Sequence, residues 1–209
     1  MKVNKSDVIY DRLDNLFADA KCELNFSNNF ELLVAVMLSA QCTDKRVNQV
    51  TNELFKKYKT PDDFANANIE TLEQEIFSCG FYHNKAKNII AMSKDLIQKH
   101  NREVPCEFED LIKLAGVGRK TANVVLAVGF NQDAIAVDTH VFRVSNRLGL
   151  VKTKNVLKCE LELQKKVSKD KWSVFHHQLV LFGRYYCKAI KPQCNGCVLK
   201  DLCESYRGK

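Results

Sequence analysis

Chain breakers are scarce in this sequence. Its 209 residues include three prolines, Pro61, Pro105 and Pro192, and eight glycines. That excludes collagen-like and low-complexity linker chains and leaves room for long helices. Strict apolar–polar alternation is almost absent, which argues against sandwiches and barrels. Internal repeats are also missing. No apolar run reaches the roughly 18 residues that would suggest a membrane span. The first residues, MKVNKSDVIYDRLD, break their apolar content with charge and lack the pattern of a signal or transit peptide, so a cytosolic protein is expected. Acidic residues are outnumbered, 25 Asp and Glu against 32 Lys and Arg. The excess suits a polyanionic partner without requiring one.

What the chain does have is helical periodicity. Apolar residues recur at Ile9, Leu13, Leu16, Phe17 and Ala20, and again at Ala86, Ile89, Ile90, Leu96 and Ile97. Thr60-Pro61-Asp62-Asp63 combines an N-cap, a first-turn proline and acids that suit the helix dipole. Thr153 is expected to cap the segment after it. Phe30 to Ala40, FELLVAVMLSA, is apolar nearly all round and predicts a central buried helix. The pattern predicts an all-α protein of about ten helices joined by short loops. No helix carries an extended heptad seam, so a monomer is expected.

Nine cysteines are many for a cytosolic chain. Cys22, Cys42, Cys79, Cys106 and Cys159 are scattered, whereas Cys187, Cys194, Cys197 and Cys203 crowd the tail as C-x6-C-x2-C-x5-C. The crowding and the odd total favour a metal site over a disulfide framework. Four thiolates could hold zinc or an iron–sulfur cluster. Zinc sites usually show two short knuckles, and here only Cys194 and Cys197 make one.

The most informative stretch is Phe108 to Phe130, FEDLIKLAGVGRKTANVVLAVGF. Helical patterns flank Ala115-Gly116-Val117-Gly118, a turn short enough to make a tight hairpin. Gly116 and Gly118 permit positive φ and close backbone approach. The second helix is expected to begin near Arg119, with its amides pointing out of the turn as an anion site suited to a phosphate. Lys120 falls in the first turn, where a cation opposes the helix dipole. That favours the neutral amine nucleophilic catalysis needs. A surface lysine contacting phosphate is the plainer alternative. Asp138, in AIAVDTHVFRV, lies between an apolar run and a predicted helix start, where an N-cap is the commonest role for Asp. A helix over 119–129 spans roughly 16 Å and residues 131–137 could extend about 23 Å. Length therefore permits Asp138 to return to the level of Lys120.

Leu114 to Ala122, LAGVGRKTA, together with Leu38-Ser39-Ala40-Gln41, Val137-Asp138-Thr139-His140 and the cysteine tail, resembles the endonuclease III family of helix–hairpin–helix DNA glycosylases over nearly the whole chain. Alanine at 115 replaces that family's proline, which should loosen the hairpin entry without removing a phosphate-binding amide. The resemblance implies the helix–hairpin–helix DNA glycosylase fold, with two helical lobes and a DNA groove between them. One lobe would span 22–132, with the hairpin at about 108–130. The other would join 1–21 to 133–209 and carry the loop 187–203.

The resemblance also implies a function: bifunctional removal of oxidised pyrimidines from duplex DNA, with cleavage at the abasic site. Lys120 would be the Schiff-base nucleophile and Asp138 its acid partner. Gln41 would enter the duplex, and Phe81 would be the wedge, where an aliphatic residue is more common. Gly116, Val117, Gly118 and Arg119 would hold phosphate, with His140 and Lys191 as further contacts. Cys187, Cys194, Cys197 and Cys203 would hold a [4Fe–4S] cluster. Without the family, a polar helix end (Gln41), a core aromatic (Phe81), a packed side chain (His140) and a solvated basic loop (Lys191) are the plainer readings. The partner would be double-stranded DNA with a damaged pyrimidine or an abasic site, met in the cytoplasm, or at the nucleoid of a bacterium. Three rivals remain: a mismatch-specific thymine or uracil glycosylase, which Lys120 argues against; a non-catalytic, redox-active damage binder, which Lys120 and Asp138 argue against; and a zinc-stabilised interaction module, which predicts a colourless protein.

Overall fold

A computed structural model describes residues 4–207; Met1–Val3 and Gly208–Lys209 lie outside the described residues. Among the described residues there are twelve α-helices, short 3-10 turns and no strand. The chain divides into two compact units. One is continuous, Glu23–Asn131, and the other combines the segment ending at Cys22 with the segment beginning at Gln132.

The continuous unit is built around α2 (Asn29–Leu38), which buries Phe30 and every residue from Leu32 to Leu38. Asn28 starts it by accepting from the Glu31 amide at 2.9 Å, and the Glu31 carboxylate accepts from the Ser27 amide at 2.6 Å. The helix stops at Leu38, short of the expected Ala40, and Ala40 is exposed. Around α2 pack α3 (Asp44–Lys57), α6 (Tyr82–Lys99) and α8 (Arg119–Gly129). A Cβ on Gly129 would lie 2.7 Å from Asn29 Oδ1, so glycine is what allows α8 its approach to α2. The Thr60 start signal closes as a full capping box with Asp63 on α4 (Pro61–Ala65). The Phe64 ring of α4 stacks on Tyr58 and meets Phe30 edge-on, with centroids at 4.8 and 5.7 Å. α5 (Ile69–Ile76) and the single turn α7 (Phe108–Leu111) complete this unit.

The other unit packs α1 (Lys5–Leu16), α9 (Thr139–Leu148), α10 (Val156–Lys166), α11 (Trp172–Tyr185) and α12 (Glu204–Arg207). Its core joins Ile9 and Leu13 to Val141, Val144, Leu148, Phe175, Leu179 and Phe182. Each such side chain, fully buried, contributes about 1.5–3 kcal/mol. Ile135 and Val137 join this core, and Ala134 to Val137, outside any helix, are all buried. The N-cap of α10 is Asn155, which accepts from the Lys158 amide at 2.9 Å, and not the expected Thr153. Thr153 sits too early to reach the first turn, and its hydroxyl accepts from the Asn155 amide instead, at 3.1 Å. No helix of the described residues is long and apolar enough to cross a membrane.

On α11, burial pushes the His177 imidazole down to about 4. An unfolded histidine titrates near about 6.5, so between these values the unfolded chain binds a proton that the folded chain refuses. The stability tied to His177 is therefore full above about pH 6.5 and is lost as pH falls towards about 4. The urea midpoint should decline across that window, and His177→Gln should flatten the decline. An equally steep decline in the variant would assign it to other groups.

Candidate functional site

The hairpin is asymmetric. Its first helix is the single turn α7, followed by turns to Gly118. Leu111, Leu114 and Val117 point inward and are buried. The Val117 amide donates to the Leu114 carbonyl at 3.1 Å, so Val117 shapes the turn and its amide is already engaged. Gly116 has φ +73°, and a Cβ there would lie 2.7 Å from the Asn88 Cβ. Gly118 differs from the expectation. Its φ of −92° is ordinary extended backbone, and nothing lies within 4 Å of a Cβ built on it. As the N-cap of α8 it has no side chain to occupy the first-turn amides. The Arg119 guanidinium lies over the Phe108 ring at 4.7 Å and ties the start of α8 to α7. Lys120 is exposed in that first turn.

The structure brings Gln41, Phe81 and Gly116 to one cleft of about 250 Å³ in the continuous unit, with Asn84, Lys85 and Asn88 in its walls. Gln41 and Phe81 both have left-handed backbone, at φ +54° and +51°. For residues other than glycine this costs on the order of 1–3 kcal/mol each. Phe81 precedes α6 and leaves 63% of its surface exposed. Lys85 was not singled out by the sequence, yet it lines this cleft with only 7% exposure.

In the other unit, Asp138 is the N-cap of α9. Its Oδ1 accepts from the amides of His140 and Val141, both at 2.8 Å, and Oδ2 lies outside that cap. The His140 Nδ1 lies 3.2 Å from Arg143 Nη2. Arg143 also donates to the carbonyls of Gly183, at 2.8 Å, and Cys187, at 3.1 Å. One turn further on, Arg147 donates to the carbonyls of Lys188 and Ala189, at 2.7 and 3.0 Å. Two arginines of α9 thus hold the start of the cysteine loop, a role invisible in the sequence beyond their spacing of one helical turn.

Cys187, Cys194, Cys197 and Cys203 line one cavity of about 340 Å³. Arg147 Nη1 approaches the Cys187 Sγ at 3.5 Å and the Leu199 amide donates to Cys197 Sγ at 3.4 Å. Burial pushes the Cys197 thiol up, against the Leu199 amide, and the other three cysteines push it the same way. Among the described residues no group of three or more His, Cys, Asp or Glu is gathered to hold a metal ion. Lys191 is exposed in the loop, with φ +51°.

Residues 34–169 match the family model of the HhH-GPD superfamily base excision DNA repair proteins. An endonuclease III of Bacillus subtilis (strain 168) is 52% identical over 97% of this chain and 93% of its own length. The chain belongs to the endonuclease III family. Within that family, the solved structure of a trapped endonuclease III–DNA covalent intermediate, an estranged-adenine complex, superposes with a TM-score of 0.94 at 51% identity. It covers 99% of this chain and 98% of its own. A thermostable thymine-DNA glycosylase shares the fold, with a TM-score of 0.87 at 22% identity over 98% of each chain. The superfamily match takes in the hairpin, Lys120 and Asp138 and stops before the four cysteines, which the longer endonuclease III alignments include.

The two hairpin glycines should respond differently to alanine. Gly116→Ala places a side chain on positive φ against Asn88 and should cost about 1–3 kcal/mol. Gly118→Ala should stay within about 0.5 kcal/mol, because chain stiffening offsets the weaker cap. Urea unfolding of the two variants checks this; equal losses would contradict the assigned backbone.

Proposed function

We propose that this protein is a bifunctional DNA glycosylase and abasic-site lyase of base excision repair, acting on oxidised pyrimidines in duplex DNA. The observation that carries the reading is Lys120, exposed in the first turn of a helix whose N-cap is a bare glycine. The same turn that supplies phosphate-binding amides thereby presents an amine, with Gly116 shaping the turn and Gly118 and Arg119 at the phosphate. The damaged nucleotide is flipped from the stack, while Gln41 and Phe81 fill the space it leaves. His140 and Lys191 contact the backbone.

Lys120 Nζ then attacks C1′ of the deoxyribose. The C1′–N bond breaks, and its electron pair leaves with the base. Asp138 accepts the lysine proton and stabilises positive charge developing on the sugar. Ring opening gives a Schiff base, which acidifies the C2′ proton. Loss of that proton expels the 3′-phosphate by β-elimination. The enzyme acts as a monomer, in the cytoplasm or at the nucleoid.

The four cysteines suit a [4Fe–4S] cluster. They share one cavity larger than a single ion needs, with N–H donors at two of the sulfurs. Cys187, Cys194, Cys197 and Cys203 would hold the cluster, and when bound it would fix the loop 187–203 and supply no step of the excision.

Borohydride trapping on a duplex with one thymine glycol tests the catalytic reading. The wild type should form a covalent adduct and Lys120→Ala none. Base release without an adduct would make the enzyme monofunctional and reduce Lys120 to a phosphate contact. Asp138→Asn retains a good N-cap, so it should fold normally while base release slows by about 100-fold or more.

For the cysteine loop, the purified protein should be brown and contain iron and acid-labile sulfide, and Cys203→Ser should bleach it. A colourless protein containing zinc would overturn the cluster.

A further inference from the structure

The first turn of α6 buries a cation. Lys85 is 7% exposed, a rare state for lysine unless it is paired. Its partners are two carbonyls: Nζ donates to the oxygen of Leu38 at 2.8 Å and to that of Cys79 at 2.5 Å. Leu38 is the last residue of α2, where carbonyls have no helical partner and a cation is favoured. Cys79 ends the short 3-10 turn before Gly80. The neighbouring thiols are Cys79 and Cys42. Cys79 is pushed up to about 11 by burial and so stays uncharged, and burial pushes the lysine amine down.

The placement of those two carbonyls is what matters. The chain runs from Leu38 through Ser39 and Ala40 to Gln41, and from Cys79 through Gly80 to Phe81. Gln41 and Phe81 are the strained, left-handed residues of the same cleft, and Lys85 forms part of its wall. The two segments also run close to one another, since a Cβ built on Gly80 would lie 4.0 Å from the Gln41 carbonyl oxygen. One ammonium therefore holds the roots of both side chains that the proposed function inserts into the duplex.

We infer that Lys85 is the positioning residue of the duplex-opening pair, fixing the separation of Gln41 and Phe81 by bridging the carbonyls of Leu38 and Cys79. It touches no reacting atom. An apolar side chain of similar length could fill its volume, but both carbonyls would lose their donor. The two roots would then be free to drift, and small misplacements weigh heavily on a step that depends on orientation. This inference rests on the reading of Gln41 and Phe81 as the residues that fill the opened stack.

The test compares single-turnover base release from a paired duplex containing thymine glycol with release from the same lesion in a bulge, where unstacking costs least. Lys85→Met should slow release from the duplex by about 10- to 100-fold and leave release from the bulge nearly unchanged. Phe81→Ala, run alongside, should show the same selective loss. A selective loss in Phe81→Ala but not in Lys85→Met would overturn the positioning role alone. No selective loss in Phe81→Ala would overturn the wedge reading, and this inference with it. Equal slowing of both substrates by Lys85→Met would reduce Lys85 to general structural support. If Lys85→Met does not fold, Lys85→Gln, which keeps an N–H donor, is read in the same way, with a smaller selective loss expected.

Discussion

A helix leaves amides at its start and carbonyls at its end without partners inside the helix, and the candidate site residues of each unit are placed by the ways this chain answers that constraint. At α8 no side chain caps the helix: Gly118 offers none, and Lys120 lies exposed in the first turn. At α9 the answer is a carboxylate: Asp138 engages two amides through one oxygen and keeps the other outside the cap. At the end of α2 it is a lysine from another helix. A residue at a helix end can be held firmly by backbone and still present one polar atom to a ligand. A mid-helix side chain has no such anchor.

Two buried or half-buried cations, Lys85 and Arg143, are satisfied mainly by main-chain carbonyls. Burial pushes both groups down from their ordinary values. A hydrophobic residue would avoid that desolvation cost, but it could not tie separate segments together through their carbonyls. In both places the tied segments carry candidate site residues. Lys85 ties the stretches leading to Gln41 and Phe81. Arg143, with Arg147 beyond it, ties the residues that open the cysteine loop. The cost of an interior charge is thus met where helix ends and the loops that follow them must be held in place.

The sequence makes local features legible and long-range ones obscure. The capping box at Thr60, the start of α8 at Arg119 and the buried face of α2 all follow from residue types at fixed offsets, and the structure has them. Gly118 was misread because a glycine advertises freedom without saying whether the turn uses it. Gly116 takes the positive φ, and Gly118 only the absence of a cap. Thr153 and Asn155 are both good caps in isolation, and register alone decides between them. Lys85, Arg143 and Arg147 look like ordinary surface charges in the sequence. Their partners are carbonyls far along the chain, and a carbonyl has no letter of its own.

Phe81 shows how these levels interlock. A large aromatic in left-handed backbone with most of its surface in water is unfavourable on both counts. Burial in this unit would relieve the exposure, and a glycine would relieve the strain, yet the chain places its glycine one position earlier, at Gly80 with φ +58°. Two successive residues with positive φ turn the chain sharply into α6 and leave the ring standing clear of the surface at the rim of the cleft. Lys85 anchors the entry to that turn at the Cys79 carbonyl. On the proposed reading of Phe81, an exposed ring anchored in this way would lose little further freedom on stacking between bases, and part of the ordering cost of opening a duplex would already be met in the folded protein.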